Sequence, residues 1–370
     1  MGPPWRRLEA VAVDLEFTDE QQLLRETVRG VCARHAGLDV VRELEDDPVG
    51  YPEKLWVQLA ELGLIGLTIP EEHGGSGMSM LDAMIVYEEL GRSLAPSPHF
   101  VSSVMAGGVL SRVGETDWLP RIASGDAIVS VAWLEPERGF GASGVQASFD
   151  GGRLTGTKRH VPYASSADRL LVLASNGEHV SLVLVDPKAE GVTVTQQQTI
   201  ASDTQYRVDF DNTPAEVVAD DGWAIWNDTM RDGAILLAAQ AVGGARYALD
   251  ITVQYAKDRF QFDKPLGAFQ AIAHYLSDAV TALDGAELLV WEAAWARSEG
   301  RSIDRLAPMA KLFACSTYRD ITAMAQQVFG GVGFTVEYDI QLYFRRAKQL
   351  QLTWWDDRYL EELIALEVLD

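Results

Sequence analysis

Residues 139–144 read GFGASG, and the choice between two folds turns on the residues after them. In form they match G-x-G-x-x-G, a turn that holds phosphate when a strand runs in and a helix N-terminus supplies aligned N–H groups. The strand before the turn is present, since residues 127–134 (AIVSVAWL) are apolar and rich in β-formers. The helix after it is missing. Residues 145–150 (VQASFD) alternate apolar and polar, Asp150-Gly151 signals a hairpin, and 153–156 resume the extended pattern. A glycine loop set between two strands predicts a β domain and argues against a doubly wound sheet.

That β domain extends over 126–223. Residues 170–174 and 180–185 flank an Asn176-Gly177 turn, and 192–195 and 206–210 add strands with no helical stretch between them. On its N-terminal side, 15–125 read as helix. Thr18 and Gln21 form a capping box, Leu23, Leu24, Thr27, Val28, Val31 and Cys32 share one face, and further helices are expected near 52–63, 78–92, 98–113 and 115–124. Residues 1–14 read as a loose leader. From 224 to 370 the helical period returns. Ala238, Ala241, Val242, Ala245, Leu249 and Thr252 line one face, Ile272 to Leu289 a second, and Met309 to Val328 a third, with short breaks such as Asp263-Lys264-Pro265. The class is α+β: a helical domain, a barrel-like β domain, then a four-helix bundle.

A formal net charge of −23 argues against nucleic acid and anionic membrane surfaces as partners, because both require basic patches. Any anionic ligand must then be met by deliberately placed arginines or backbone donors. Cys32 and Cys315 offer neither a disulfide framework nor a metal cluster, which suits a reducing cytoplasm. No stretch reads as a signal peptide or a membrane span. None of the histidines has Glu three residues before it, which excludes a di-iron bundle.

In the third zone, Tyr255, Arg259, Phe262 and Leu266, followed by Phe269-Gln270, resemble the Y-x-x-x-R-x-x-F-x-x-x-[IL]…F-Q segment of acyl-CoA dehydrogenases. Gln327, Gly330, Gly331, Gly333 and Phe334 resemble that family's Q-x-x-GG-x-G-[FY], and Glu337 and Arg345 fall where it carries an acid and a base. Leu134-Glu135-Pro136 and Gly156-Thr157-Lys158 extend the likeness through the β domain, so that it covers about 18–350. The resemblance implies a tetramer with FAD at a subunit boundary, an acyl-CoA substrate, and an electron-transfer flavoprotein as acceptor. It implies cofactor contacts from Arg259, Phe262, Gln270, Gln327, Gly330 and Gly331 to the FAD of a neighbouring subunit.

Departures from the family cluster elsewhere. The usual catalytic Glu position holds Trp354, followed by Trp355, and the alternative position on the first bundle helix holds Gly233. Asp356 and Asp232 are the nearest substitutes. The flavin-covering loop has become GFGASG, and the W-x-[ST] that serves the flavin ring has become His160-Val161-Pro162. Proline has no N–H to offer. Contacts to a neighbour's cofactor are kept, while those to the chain's own ring and substrate are altered. The expectation is an α2β2 assembly with a second, base-bearing dehydrogenase-like subunit, similar to the heterotetrameric acyl-CoA dehydrogenases of actinobacterial steroid side-chain degradation. The alternatives are an active homotetramer with a displaced Asp base, or a flavin-dependent oxygenase or non-enzymatic subunit on the same fold. Trp354 and Trp355 are placed to plug the vestigial acyl pocket.

Overall fold

A computed structural model describes residues 17–201 and 203–369, so the expected leader at 1–14 lies outside the described residues. α1 (Asp19–His35) begins at the capping box, where the Thr18 hydroxyl accepts from the Gln21 N–H and the Gln21 side chain accepts from the Thr18 N–H, each at 3.2 Å. α2 (Leu38–Glu43), α3 (Glu53–Glu61) and α4 (Met80–Arg92) follow. A π-helical segment, Phe100–Ala106, then runs directly into α5 (Gly107–Val113). The helix expected over 115–124 is shorter, α6 (Leu119–Ala123). Glu115 turns the chain first, its carboxylate accepting from the N–H groups of Asp117 and Trp118 at 2.7 and 2.9 Å.

Eight strands form the middle layer: β1 (Val129–Ala132), β2 (Ser148–Asp150), β3 (Arg153–Pro162), β4 (Arg169–Ser175), β5 (Val180–Val185), β6 (Val192–Gln197), β7 (Gln205–Pro214) and β8 (Glu216–Ala219). They make one sheet in the order β6-β7-β3-β2-β4-β5-β8, with β1 parallel to β4. The GFGASG loop contains only the short 3-10 turn Ala142–Gly144 before β2, and β2 folds back on β3 in register Ser148↔Thr155. The chain therefore lacks the helix that a phosphate-binding glycine turn requires.

Among the described residues the C-terminal layer holds the bundle helices α7 (Trp223–Asp258), α8 (Gln270–Ser298), α9 (Leu306–Phe329) and α10 (Ile340–Leu352), followed by α11 (Asp357–Leu369). α7 is the central rod, packed by α4 on one side and α9 on the other. Its small residues permit close approach. A Cβ on Gly243 would stand 1.8 Å from the Glu88 carbonyl of α4. α7 is also long and apolar enough to cross a membrane, contrary to the expectation that no stretch is, but 72% of its apolar window is buried inside the protein. It is apolar because it is packed on several sides.

Candidate active site

The β domain and the bundle meet at a cleft of about 430 Å³ whose lining includes Trp133, Leu134, His160, Pro162, Lys348 and Trp354. The GFGASG loop contributes Phe140 to its lining and is anchored by one buried carboxylate. Glu135 Oε1 accepts from Gln146 N–H at 2.9 Å, Ala147 N–H at 2.8 Å and Lys158 Nζ at 2.7 Å. Lys158 is fully buried, and burial pulls its amine down to about 8 against the opposing field of Glu135. The pair staples both ends of the loop to β3. The loop closes on itself at Gly144, where a Cβ would meet the Gly139 carbonyl at 2.2 Å.

His160 and Pro162 form the β-domain wall. The β3–β7 ladder shifts register between Lys158 and Val161, and His160 takes a φ of 53° at that irregularity. Its N–H already donates to Gln197 Oε1 at 2.9 Å, and its Nδ1 lies 2.9 Å from Gln205 Oε1. Burial lowers its pKa, so the ring is neutral at pH 7. Pro162 contributes only a carbonyl, which accepts from the Ser130 hydroxyl. This wall offers a flavin edge no free backbone donor from His160 or Pro162.

The opposite wall is aromatic. Trp354 stacks on Trp133 with centroids 5.7 Å apart at 19°, and meets Phe100 edge-on at 5.0 Å. Trp133 in turn touches Phe140 and Trp226, at 5.8 and 5.5 Å. Trp354 and Trp355 both lie in the left-handed region, with φ of 54° and 77°. That turn is held by Lys311 of α9, a fully buried amine that donates to the carbonyls of Leu350 (3.0 Å) and Trp355 (2.8 Å). Trp355 points inward, 1% exposed, against Tyr359. Of the two tryptophans expected to fill the pocket, only Trp354 lines the cleft.

The carboxylates near this wall are engaged elsewhere. Asp232 lies 2.6 Å from Arg112 Nη2 and 2.7 Å from Arg297 Nε. Asp356 caps α11, accepting from the Tyr359 N–H at 3.0 Å. Neither lines the cleft. Among the described residues one carboxylate does, Asp203, and it is already claimed: it accepts from the Thr199 hydroxyl at 2.6 Å and from the side-chain amides of Gln205 and Gln349. At Gly233 a Cβ would stand 2.8 Å from Met105 Sδ and 3.2 Å from Phe100 Cζ, so a side chain there would have to displace Met105 and press on Phe100.

The other group of sequence-marked residues gathers at one end of the bundle. Tyr255 stacks on Phe329 at 4.2 Å and brings the end of α7 beside the end of α9. Arg259 follows α7, Gln270 opens α8, and Gln327 with Gly330 and Gly331 closes α9. Arg259, Gln270, Gln327 and Gly331 are exposed, and Phe262 is 86% exposed. Gly330 has φ 65° and ψ −143°, a conformation suited to glycine, and nothing lies within 4 Å of a Cβ at Gly330 or Gly331. None of these residues lines the cleft. Arg345 pairs with Glu45 and donates to the Ile200 carbonyl, while Glu337 stays exposed with its carboxyl lowered by the Thr335 hydroxyl. Sequence reading missed Lys311, Phe100 and Asp203. The one signal for Lys311 was a lone amine at an otherwise apolar position of a helix.

Residues 18–126 match the model of the acyl-CoA dehydrogenase N-terminal domain, and 220–354 match that of its C-terminal domain. The acyl-CoA dehydrogenase IpdE2 of Mycolicibacterium smegmatis is 32% identical over 334 residues, spanning 90% of this chain and 93% of that protein. The chain belongs to the acyl-CoA dehydrogenase family. Among solved structures of the family, it is similar to the ChsE4-ChsE5 complex from Mycobacterium tuberculosis, with a TM-score of 0.88 and 28% identity over 97% of this chain and 99% of that one. It is also similar to the Tcur3481-Tcur3483 steroid ACAD, at a TM-score of 0.85 and 32% identity over 95% and 99% of the two chains. Members of this acyl-CoA dehydrogenase family are flavoproteins. The chain is two-sided: among the described residues its cleft has no free backbone donor at His160 or Pro162 and no unengaged carboxylate, whereas its bundle end presents an exposed arginine, two glutamines and open glycines.

Proposed function

We propose that this chain is the subunit without a catalytic base in an α2β2 acyl-CoA dehydrogenase, and that it helps to hold an FAD whose reacting ring lies on a second, non-identical subunit. The observation that carries this reading is Trp354 packed on Trp133 where a carboxylate is required, with Asp232 and Asp356 both engaged elsewhere. Removal of the α-proton of a thioester needs a base within hydrogen-bond reach, and the carboxylate this chain does bring to the cleft, Asp203, is held by three donors of its own. FAD, when bound, supplies the hydride acceptor. Arg259 offers its pyrophosphate a planar cation with fork geometry, and in a chain of net charge −23 that placement is selective. Gln270 and Gln327 offer amide donors, Phe262 an aromatic face, and Gly330 and Gly331 a backbone that can be approached closely. The pairing of two differently named chains in the ChsE4-ChsE5 complex and the steroid designation of Tcur3481-Tcur3483 support a paired assembly acting on a steroid-derived acyl-CoA. An electron-transfer flavoprotein as acceptor and a cytoplasmic location complete the reading, and Cys32 and Cys315 are both free and buried.

The test is co-expression with an acyl-CoA dehydrogenase-like chain that keeps its Glu. Co-purification with about one FAD for two chains is expected, and little flavin on this chain alone. A yellow homotetramer that turns over acyl-CoA without a companion would falsify the proposal.

A further inference from the structure

Two clefts border the region where the π-helical segment Phe100–Ala106 packs on α7. One is the cleft of about 430 Å³ bounded by Trp133 and Trp354. The other is a second cleft of about 480 Å³ whose lining includes Val104, Gly108, Asp232 and Leu236. Phe100 lies edge-on to Trp354 on one side, and on the other comes within 3.2 Å of where a Gly233 Cβ would stand, with Met105 Sδ beside it. Trp226, fully buried, backs Trp133.

Trp354 is not placed there by helix geometry. It occupies a left-handed turn that side chains other than glycine rarely adopt, followed by a second such residue. The turn is pinned from α9 by Lys311, whose amine bonds both the last-turn carbonyl of Leu350 and the carbonyl of Trp355. A fully buried amine whose hydrogen-bond acceptors are both backbone carbonyls is costly to keep unless the conformation it holds matters.

We propose that the Trp354 indole, aimed by Lys311 and backed by Phe100, is a plug that bars the acyl tail of a thioester from this chain. Only the partner's pocket then takes substrate, and Lys311 is a positioning residue for the plug. The inference rests on the reading above that the chemistry belongs to the partner, and it adds how this chain avoids binding substrate unproductively.

The test measures equilibrium binding of octanoyl-CoA and of free coenzyme A to the purified full chain. Wild type should bind the two within about twofold of each other. Trp354→Gly, which suits the left-handed backbone, should prefer octanoyl-CoA about tenfold, the gain for admitting roughly two methylenes. Adding Phe100→Ala should widen the preference. Lys311→Met should move toward the Trp354→Gly preference and lose the exciton circular-dichroism couplet of the stacked Trp133–Trp354 pair. If Lys311→Met does not fold, the Trp354 and Phe100 variants carry the test of the plug. A wild-type chain that already prefers octanoyl-CoA tenfold, or a Trp354→Gly chain no better than wild type, overturns the plug. Lys311→Met with wild-type selectivity and an intact couplet removes its positioning role. Tight octanoyl-CoA binding without turnover by wild type would defeat the plug alone, whereas turnover by the lone chain would defeat the assignment of function.

Discussion

Asp232 and Glu135 are buried carboxylates whose neighbours decide what they do. Asp232 is clasped between Arg112 of α5 and Arg297 of α8, with Asp228 sharing both arginines. Its role is to tie the N-terminal layer to the bundle. Asp232→Asn should therefore lower stability by about 2 kcal/mol, since it leaves two guanidiniums short of a counter-charge, and should leave turnover of the assembled enzyme within about twofold. Paired thermal melts and initial rates check this, and a collapse of turnover with an unchanged melt would make Asp232 the base. Asp356→Ala should cost about 1 kcal/mol through the lost cap of α11, again without loss of rate. The Glu135–Lys158 pair is more sensitive. Lys158→Met strands a carboxylate that also accepts two backbone N–H groups, and should cost about 3–5 kcal/mol by chemical denaturation, with much of the loss recovered by adding Glu135→Leu.

Between elements, α1, α4 and α8 are joined through one carboxyl group. Glu88 of α4 accepts from Arg25 of α1 at 2.7 Å and from the Trp291 indole of α8 at 2.9 Å, with Glu89, Glu287, Arg29 and Arg246 around the same small cavity. Burial raises its carboxyl to about 7, opposed by Arg25 and Trp291 and assisted by Glu287 and Glu89. The folded protein thus keeps this proton through a range where the unfolded chain, with an ordinary carboxyl, has lost it. Stability must fall as pH rises from about 4.5 to about 7, by up to about 3 kcal/mol from this group, and then level off. Glu88→Gln should flatten that part of the pH–stability curve and match or exceed wild type above about pH 7. An unchanged slope in the variant would show that Glu88 is ionised throughout.

For the whole molecule, the open bundle end and the plugged cleft point to a division of labour between subunits. In the co-expressed complex, Arg259→Ala should strip flavin, read as loss of the flavin's visible absorbance per complex at unchanged stoichiometry of chains, and Arg259→Lys should restore it only in part. The melt of the lone chain should not move, because Arg259 has no ion-pair partner among the described residues and lies exposed. Retention of full flavin by Arg259→Ala would place the cofactor contact elsewhere.

The order of helical domain, β domain and bundle was legible because hydrophobic period is a local property: VQASFD alternates whatever surrounds it, and the α7 and α9 faces repeat every three to four residues. The motifs around Arg259 and Gly331 were legible for the same reason, as short runs of fixed spacing. The sequence suggested that Trp354 and Trp355 fill a pocket but not which of them does or what holds it there, because that depends on Trp133 and Phe100 from distant segments and on Lys311 reaching across from α9. Nor did it show that Asp232 and Asp356 are engaged, or that Asp203 reaches the cleft already bonded to Gln349 of α10, since such contacts are fixed by where remote backbones bring their side chains. Local pattern decided the elements; long-range packing decided which carboxylates are free, and among the described residues it left none unengaged at the cleft where a base is needed.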